Sequence, residues 1–376
     1  MRSERHLLTS CVPGTTRELV SLHFGNGEAG PKALIQASLH ADEPPGLLVA
    51  WHLRRELVAL ESAGRLKGEI VLVPMANPVG SAQRVLGRAL GRFELALGEN
   101  FNRNYADLSA TVFSSLQAQI DAGQTPTVDV VRAALRAACD DLPAGSELQS
   151  LRRTLLRLAI DADLVLDLHC DNEAVMHLYT TTPVWPAVEP LARLLGSEMA
   201  LVAVESGGDP FDEACSMLWA RLGRRYHEHT GKEQPWPDAC VAVTVELRGE
   251  TDVSHDLAQR DAQAILGYLI HRGMIDAPLP ELPPLIREPR PLVGSVPAHT
   301  PRGGVLVHRP LLGQMVSKGQ CIAEVIDPLT GEATEILSSV DGLLYARESV
   351  RIVHAGMSIA KVAGTEAVRS GNLLSA

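Results

Sequence analysis

The chain has 376 residues, 45% hydrophobic and 21% charged, a balance that excludes a disordered or collagen-like polymer. Its 34 Lys plus Arg against 45 Asp plus Glu give a net charge of -11, which argues against nucleic acid or an anionic membrane as a partner. A small anionic substrate stays open, because one or two arginines suffice to hold it. At roughly 150 residues per domain, the length suggests two or three domains.

Six cysteines, Cys11, Cys139, Cys170, Cys215, Cys240 and Cys321, lie scattered with no Cys-x-x-Cys pair. That spacing argues against a disulfide framework or a thiolate zinc site and for a reducing, cytoplasmic setting. The charged start Met1–Arg5 is followed by no apolar stretch suited to a signal peptide, and no run of ~18 apolar residues suggests a membrane span.

From Lys32 to Gly249, short apolar β-rich runs alternate with helical patterns. Strands are predicted at Ala33–Leu39, Glu69–Pro74, Leu164–His169, His177–Thr180, Ala200–Val204 and Val241–Leu247. Helices are predicted at Gly46–Leu60, Val128–Cys139, Glu147–Ile160, Val188–Leu195, Asp212–His229 and Ser254–His271, with residues 106–162 a mostly helical insertion broken at Gly123–Thr127. Nearly all-apolar strands separated by helices indicate an α/β fold with a mostly parallel, mixed sheet and helices on both faces. In such sheets functional groups gather past the carboxyl ends of the strands.

Seven prolines in Ala277–Pro297 cannot continue a helix or a central strand, so this stretch reads as a stiff linker. The expected organisation is a catalytic domain over 1–276, a linker over 277–297 and a β domain over 298–376. In the last part Val316-x-x-Gly319-x-x-Ile322-Ala323-x-Val325 recurs as Val353-x-x-Gly356-x-x-Ile359-Ala360-x-Val362, displaced by 37 residues. Two such units suggest a small pseudo-symmetric β-barrel, and the pattern resembles a lipoyl/biotinyl carrier domain. A carrier needs a lysine at the hairpin tip, where Ile326–Gly331 has none. The barrel is therefore expected to be structural, or a wall shaping access to a site.

Three strand ends carry groups that bind metals or move protons: His40-x-x-Glu43, Asp167-Leu168-His169 and Glu246-Leu247-Arg248. Two imidazoles and a carboxylate form an N/N/O donor set that suits Zn²⁺ with a position left for water. Zinc lowers the pKa of such a water to roughly 7, and a nearby carboxylate must then take the proton and pass it to a leaving amine. Glu246, at the end of an apolar strand, suits that task. Taken singly, each residue has a plainer reading: a stray His-x-x-Glu pair, a satisfied core histidine, a glutamate paired with Arg248. Cys170, beside His169, is expected to point to the opposite face of its strand. His177 is either a pocket wall or a satisfied interior histidine, and His227 and His229, two apart on a helix, do not share a face.

The ordered set His40-x-x-Glu43, Asn102-Arg103-Asn104-Tyr105, Asp167-Leu168-His169 and Glu246-Leu247-Arg248 resembles zinc carboxypeptidases of the carboxypeptidase A type. It is most similar to the succinylglutamate desuccinylase/aspartoacylase branch. Asn77-Pro78, Gly91-Arg92-Phe93 before Asn100-Phe101-Asn102-Arg103, and the C-terminal barrel support this branch, and the resemblance covers roughly residues 30–365. It implies a carboxypeptidase-like fold, one zinc per chain on His40, Glu43 and His169, and Glu246 as general base. It also implies that Asn102 and Arg103 hold the substrate carboxylate and that an arginine polarises the scissile carbonyl. Arg92 matches that arginine best, with Arg84 and Arg88 as alternatives.

The segment Cys170-Asp171-Asn172-Glu173 departs from both branches, so the acyl group stays open between acetyl and succinyl types. The implied activity is a zinc-dependent amidohydrolase that removes the N-acyl group from a small N-acylated amino acid by attack of a zinc-activated water. The alternatives are a zinc metallocarboxypeptidase acting on short peptides and a non-catalytic metabolite-binding relative. A catalytic core with an appended barrel is compatible with a homo-oligomer.

Overall fold

The computed structural model describes residues 1–10, 12–27, 30–237 and 239–374. Nine strands form one sheet in the order Arg2–Leu7, Glu18–Gly25, Glu69–Val73, Lys32–Ala37, Leu164–Asp171, Val241–Gly249, His177–Thr181, Met199–Ala203, Arg290–Pro291. The central pairs are parallel, whereas His177–Thr181 runs antiparallel to Val241–Gly249. The two N-terminal strands add an antiparallel edge. That edge escapes the sequence reading because Arg2–Leu7 is charged and largely exposed, as edge strands are when they must resist pairing with other chains.

The central strands are apolar on both faces because both faces are covered. Ala33, Ile35, Leu164 and Leu166 pack with helices Pro45–Ser62, Trp185–Leu195 and His255–His271 on one side. The alternate residues Leu34, Val165 and Ala242 pack with Ser109–Asp121, Val128–Asp140, Glu147–Ala159 and Phe211–Thr230 on the other. Helix starts follow their caps: the side chains of Thr127, Ser146 and Ser254 accept the backbone N–H of Val130, Gln149 and Leu257. Among the described residues no helix is long and apolar enough to cross a membrane. The five described cysteines are unpaired, and Cys11 lies outside the described residues.

Residues 277–289 carry no helix or strand, and Pro291 sits in a two-residue strand at the sheet edge, where its missing N–H costs nothing. Beyond it two antiparallel sheets form. One runs Glu173–Ala174, Gly342–Arg347, Ser358–Ala363, Ser295–His299; the other runs Ala333–Leu337, Cys321–Ile326, Gly304–His308, Ile352–Val353. The repeated residues Val316, Ile322, Ala323 and Val325 and their counterparts Val353, Ile359, Ala360 and Val362 bury together in one small core. Gly319 and Gly356 stand at equivalent turns with φ of 82° and 84°, a conformation that disfavours any Cβ. These sheets are joined to the large one: Glu173–Ala174 pairs with Ala346–Arg347, and Lys361 Nζ donates to the Asp171 carboxylate at the end of a central strand.

His177 is fully buried on its strand, and its Nδ1 donates to the Val175 carbonyl at 2.8 Å. Burial pushes its pKa down to about 4. The unfolded chain, with an ordinary imidazole near ~6.5, therefore binds one more proton between pH 6.5 and 4, and stability contributed by neutral His177 is lost as pH falls through that window. Urea unfolding should show the native protein losing about 2 kcal/mol more between pH 7 and 5 than His177→Gln. Equal losses would remove His177 as the source.

Candidate metal centre

Strand Lys32–Ala37 ends at Ser38, which takes a φ of 63° and turns the chain into the loop that carries His40. The Asn77 side-chain amide holds that loop by donating to the Leu39 carbonyl, and the Ala41 N–H donates to the Gly91 carbonyl at 3.0 Å. A Cβ on Gly91 would lie 2.4 Å from the Asp42 backbone nitrogen, so only glycine lets the Arg92 segment approach this closely. Glu43 follows one turn after His40, and Pro44-Pro45 then opens the helix Pro45–Ser62, proline being suited to a first turn.

Leu164–Asp171 presents Asp167 and His169 on one face, two residues apart. Its parallel neighbour pairs Glu246 with His169 in register. Three chain segments therefore meet at the carboxyl ends of adjacent strands. His40 Nδ1 lies 2.8 Å from Glu43 Oε1, and His169 Nδ1 lies 2.8 Å from Glu43 Oε2. The Cys170 backbone N–H donates to the same Oε2 at 3.2 Å.

The far nitrogens are fixed too. Asn100 Oδ1 is 2.9 Å from His40 Nε2, and Asp167 Oδ2 is 2.9 Å from His169 Nε2. Gln36 Nε2 donates to the other Asp167 oxygen at 2.9 Å. Ligating histidines are oriented in this way, with one nitrogen on the metal and the other on an oxygen acceptor.

Charge follows geometry. Burial alone would raise Glu43, but the two imidazoles hold its carboxyl well below the usual range. Burial opposes charge on His169, yet Asp167 and Glu43 outweigh it and hold the imidazole well above its ordinary value. Burial lowers His40 against the pull of Glu43. Burial, and then the Glu43 carboxylate, push Glu246 up to about 8. The buried Glu246 Oε2 has no hydrogen-bond partner among the described residues, which leaves it open toward the cavity chemistry.

His40, Glu43 and His169 offer one ligand atom each, all within 4.8 Å of one another, and could hold a metal ion. The N/N/O donors and their anchored far nitrogens fit zinc.

The triad opens into two cavities. One of about 340 Å³ is lined by His40, Glu43, His169, Arg92, Asn102 and Arg103 and extends to Asp212, Glu213 and Tyr345. The other, about 270 Å³, shares Glu43, Arg92, Glu246 and Lys361 with the first and runs to Cys170, Asn172 and Glu348. Arg92 Nη1 lies 3.4 Å from His40 Nδ1 and 3.5 Å from Glu43 Oε1, whereas Arg84 and Arg88 stand exposed on a short hairpin. Asn102 Oδ1 accepts the Phe211 N–H at 2.8 Å, and its Nδ2 is 3.4 Å from His169 Nε2. Burial, with Arg92 nearby, lowers Arg103 to about 10. Arg248 does not meet Glu246; it forms a two-point pair with Asp261. His177 lines neither cavity.

Sequence reading gave no role to Asn100, Asp212, Glu213 or Lys361. Asn100 stands two residues before Asn102, and that proximity was the only available signal.

The family model for the succinylglutamate desuccinylase/aspartoacylase catalytic domain matches residues 29–272. No curated protein gives a match. Among solved structures, the chain is similar to a succinylglutamate desuccinylase/aspartoacylase family protein of Shewanella amazonensis, with 27% identity over 96% of this chain and 98% of that one and a TM-score of 0.82. A second such protein, from Shewanella frigidimarina, shows 25% identity over 96% of both chains and a TM-score of 0.81. The ectoine utilization protein EutE (DoeB) of Ruegeria pomeroyi, at 18% identity over 96% of this chain and 94% of that one, has the same fold with a TM-score of 0.66.

Loss of an outer partner should weaken the triad without dismantling the fold. Asp167→Asn is expected to raise the zinc dissociation constant 10–100-fold in a competitive chelator titration. His169→Ala should abolish stoichiometric binding; one zinc retained per chain in His169→Ala would refute the ligand set.

Proposed function

The chain belongs to the succinylglutamate desuccinylase/aspartoacylase family, whose members are hydrolases, and we propose that it is a zinc-dependent amidohydrolase that removes the N-acyl group from a small N-acylated amino acid. One observation carries this reading. Two buried imidazoles converge through Nδ1 on Glu43, each with its far nitrogen fixed, while the unpartnered carboxyl of Glu246 stands on the adjacent strand in register with His169. That arrangement supports a metal site with a proton carrier beside it, on a cavity of small-molecule size.

His40, Glu43 and His169 would hold the zinc. When bound, zinc supplies Lewis acidity toward a carbonyl and makes a water acidic enough to attack near neutral pH. Arg103, with Asn102 at its base, binds the substrate carboxylate through its guanidinium fork. Arg92, on the rim of the triad, donates to the carbonyl oxygen as negative charge develops there. Glu246 accepts a proton from the attacking water and returns it to the leaving nitrogen. Burial raises this carboxyl above the ordinary carboxylate range, which favours return of the proton to the leaving nitrogen. The products are a free carboxylic acid and a free amine.

The test is a mass-spectrometric screen of zinc-loaded protein against N-acetyl and N-succinyl amino acids and short peptides, with a chelator-treated control. Chelator-sensitive release of an amino acid from an N-acyl compound is expected; cleavage of peptides alone would move the protein to the carboxypeptidase reading. Glu246→Gln should keep its zinc and lose turnover by 10²–10⁴-fold, a typical share for general acid–base catalysis, and near-native rates in that variant would refute the mechanism. Arg92→Met should lower kcat by about 10²–10³-fold.

A further inference from the structure

We propose that the smaller cavity is the acyl subsite, and that it accepts short uncharged acyl groups and rejects acyl groups that end in a carboxylate. The inference rests on the deacylase reading and adds the acyl class, which that reading leaves open.

The division of the site follows from which residues line which cavity. Asn102 and Arg103 line only the larger one. An amino acid held there by its carboxylate occupies the larger cavity. Its amide must lie between Arg92 and Glu246, both of which face both cavities, and the chain on the far side of the carbonyl then enters the smaller one.

The charges of that smaller cavity are one-sided. Besides Glu43, Glu246 and Asp171 it is walled by Asp42, Glu250 and Glu348. Its three cations are each matched to a carboxylate: Lys361 to Asp171, Arg347 to Glu173, and Arg92 to Glu43 at 3.5 Å. No ion pair among the described residues reaches the carboxylates of Asp42, Glu250 or Glu348. Among the described residues they accept from neutral donors: Asp42 from the Gly91 N–H at 3.0 Å, Glu250 from the Ser349 hydroxyl at 2.8 Å, and Glu348 from the Asn172 side-chain amide at 3.0 Å, the Val350 N–H at 2.9 Å and the Ser349 hydroxyl at 3.5 Å. A succinyl tail would bring a further carboxylate among these three with no uncommitted lysine beside it, and like charges in a partly desolvated space repel. An acetyl or propionyl group brings none. Specificity of this kind is exerted against the wrong ligand rather than for the right one.

Calorimetric titration of zinc-loaded Glu246→Gln with paired N-acetyl and N-succinyl forms of aspartate, glutamate, ornithine and alanine reads the preference without turnover, and the native protein is assayed on the same compounds. For the best-bound amino acid, the acetyl form is expected to bind at least tenfold more tightly than the succinyl form. Adding Glu250→Gln and Glu348→Gln should narrow that ratio at least threefold; should the combined variant fail to fold, Asp42→Asn alone is expected to narrow it measurably. Equal affinities, tighter binding of succinyl forms, or a ratio that these substitutions leave unchanged would overturn the subsite. An acetyl preference in binding with no hydrolysis by the native protein would keep the subsite and sink the deacylase reading. Binding of neither form would overturn both.

Discussion

A carboxylate held between two imidazoles organises this molecule. Glu43 meets His40 on one oxygen and His169 on the other, and the whole group is buried. Buried charge is tolerated only when it is paired and hydrogen-bonded, and removing one member leaves the others uncompensated. The surroundings answer that demand. Asn100 and Asp167 take the far ring nitrogens, the Cys170 backbone N–H takes part of Glu43, and Gln36 steadies Asp167 from the adjacent central strand. Gly91 is obligatory because its backbone must pass against Ala41 and Asp42. The features that look like local irregularities, Ser38 at positive φ and a glycine in close contact, are what bring the three ligand atoms together.

The sheet decides where this group sits. Lys32–Ala37, Leu164–Asp171 and Val241–Gly249 run parallel and adjacent, so the residues past their carboxyl ends arrive on one edge of the core. Each contributes a different group: His40 and Glu43 from the loop after the first strand and His169 from the second, which together could hold a metal ion, and the carboxyl of Glu246 from the third. The C-terminal sheets then close over that edge. Lys361 reaches Asp171, two residues beyond His169, and Tyr345 stands in the wall of the larger cavity with its hydroxyl 2.7 Å from the Ser295 hydroxyl. Covering the edge reduces the water near the triad, and charged contacts there act through a lower dielectric than they would on an open surface.

Most of the layered core was legible in the sequence, since its strands are unbroken apolar runs and its helices carry caps and periodic faces. The convergence of His40, Glu43 and His169 was legible for a related reason: polar residues at the ends of apolar strands have few plain explanations when three of them coincide. The N-terminal edge was not, because Arg2–Leu7 alternates charge with little buried surface and looks like a loop. The antiparallel insertion of His177–Thr181 beside Val241–Gly249 was not either, because strand direction is set by connections rather than by composition. Asn100, Lys361, Asp212 and Glu213 became visible only in three dimensions. Lys361 meets Asp171 across 190 residues, and no local pattern encodes that contact.

Asn102 shows why such residues resist assignment from sequence. Its backbone N–H donates to Asn100 Oδ1, the same oxygen that faces His40. Its side-chain oxygen accepts from the first residue of helix Phe211–Thr230, and its side-chain nitrogen stands beside His169. Its carbonyl accepts from Arg103 at 2.6 Å, steering that guanidinium. One amide thus ties Asn100, His169, Arg103 and the start of a helix whose first turn carries Asp212 and Glu213. Groups joined through one partner do not contribute independently, so the energetic effects of changing them will not add. The triad and the cavity wall are for this reason a single mechanical unit, in which His169 and Arg103 are placed by the same few hydrogen bonds.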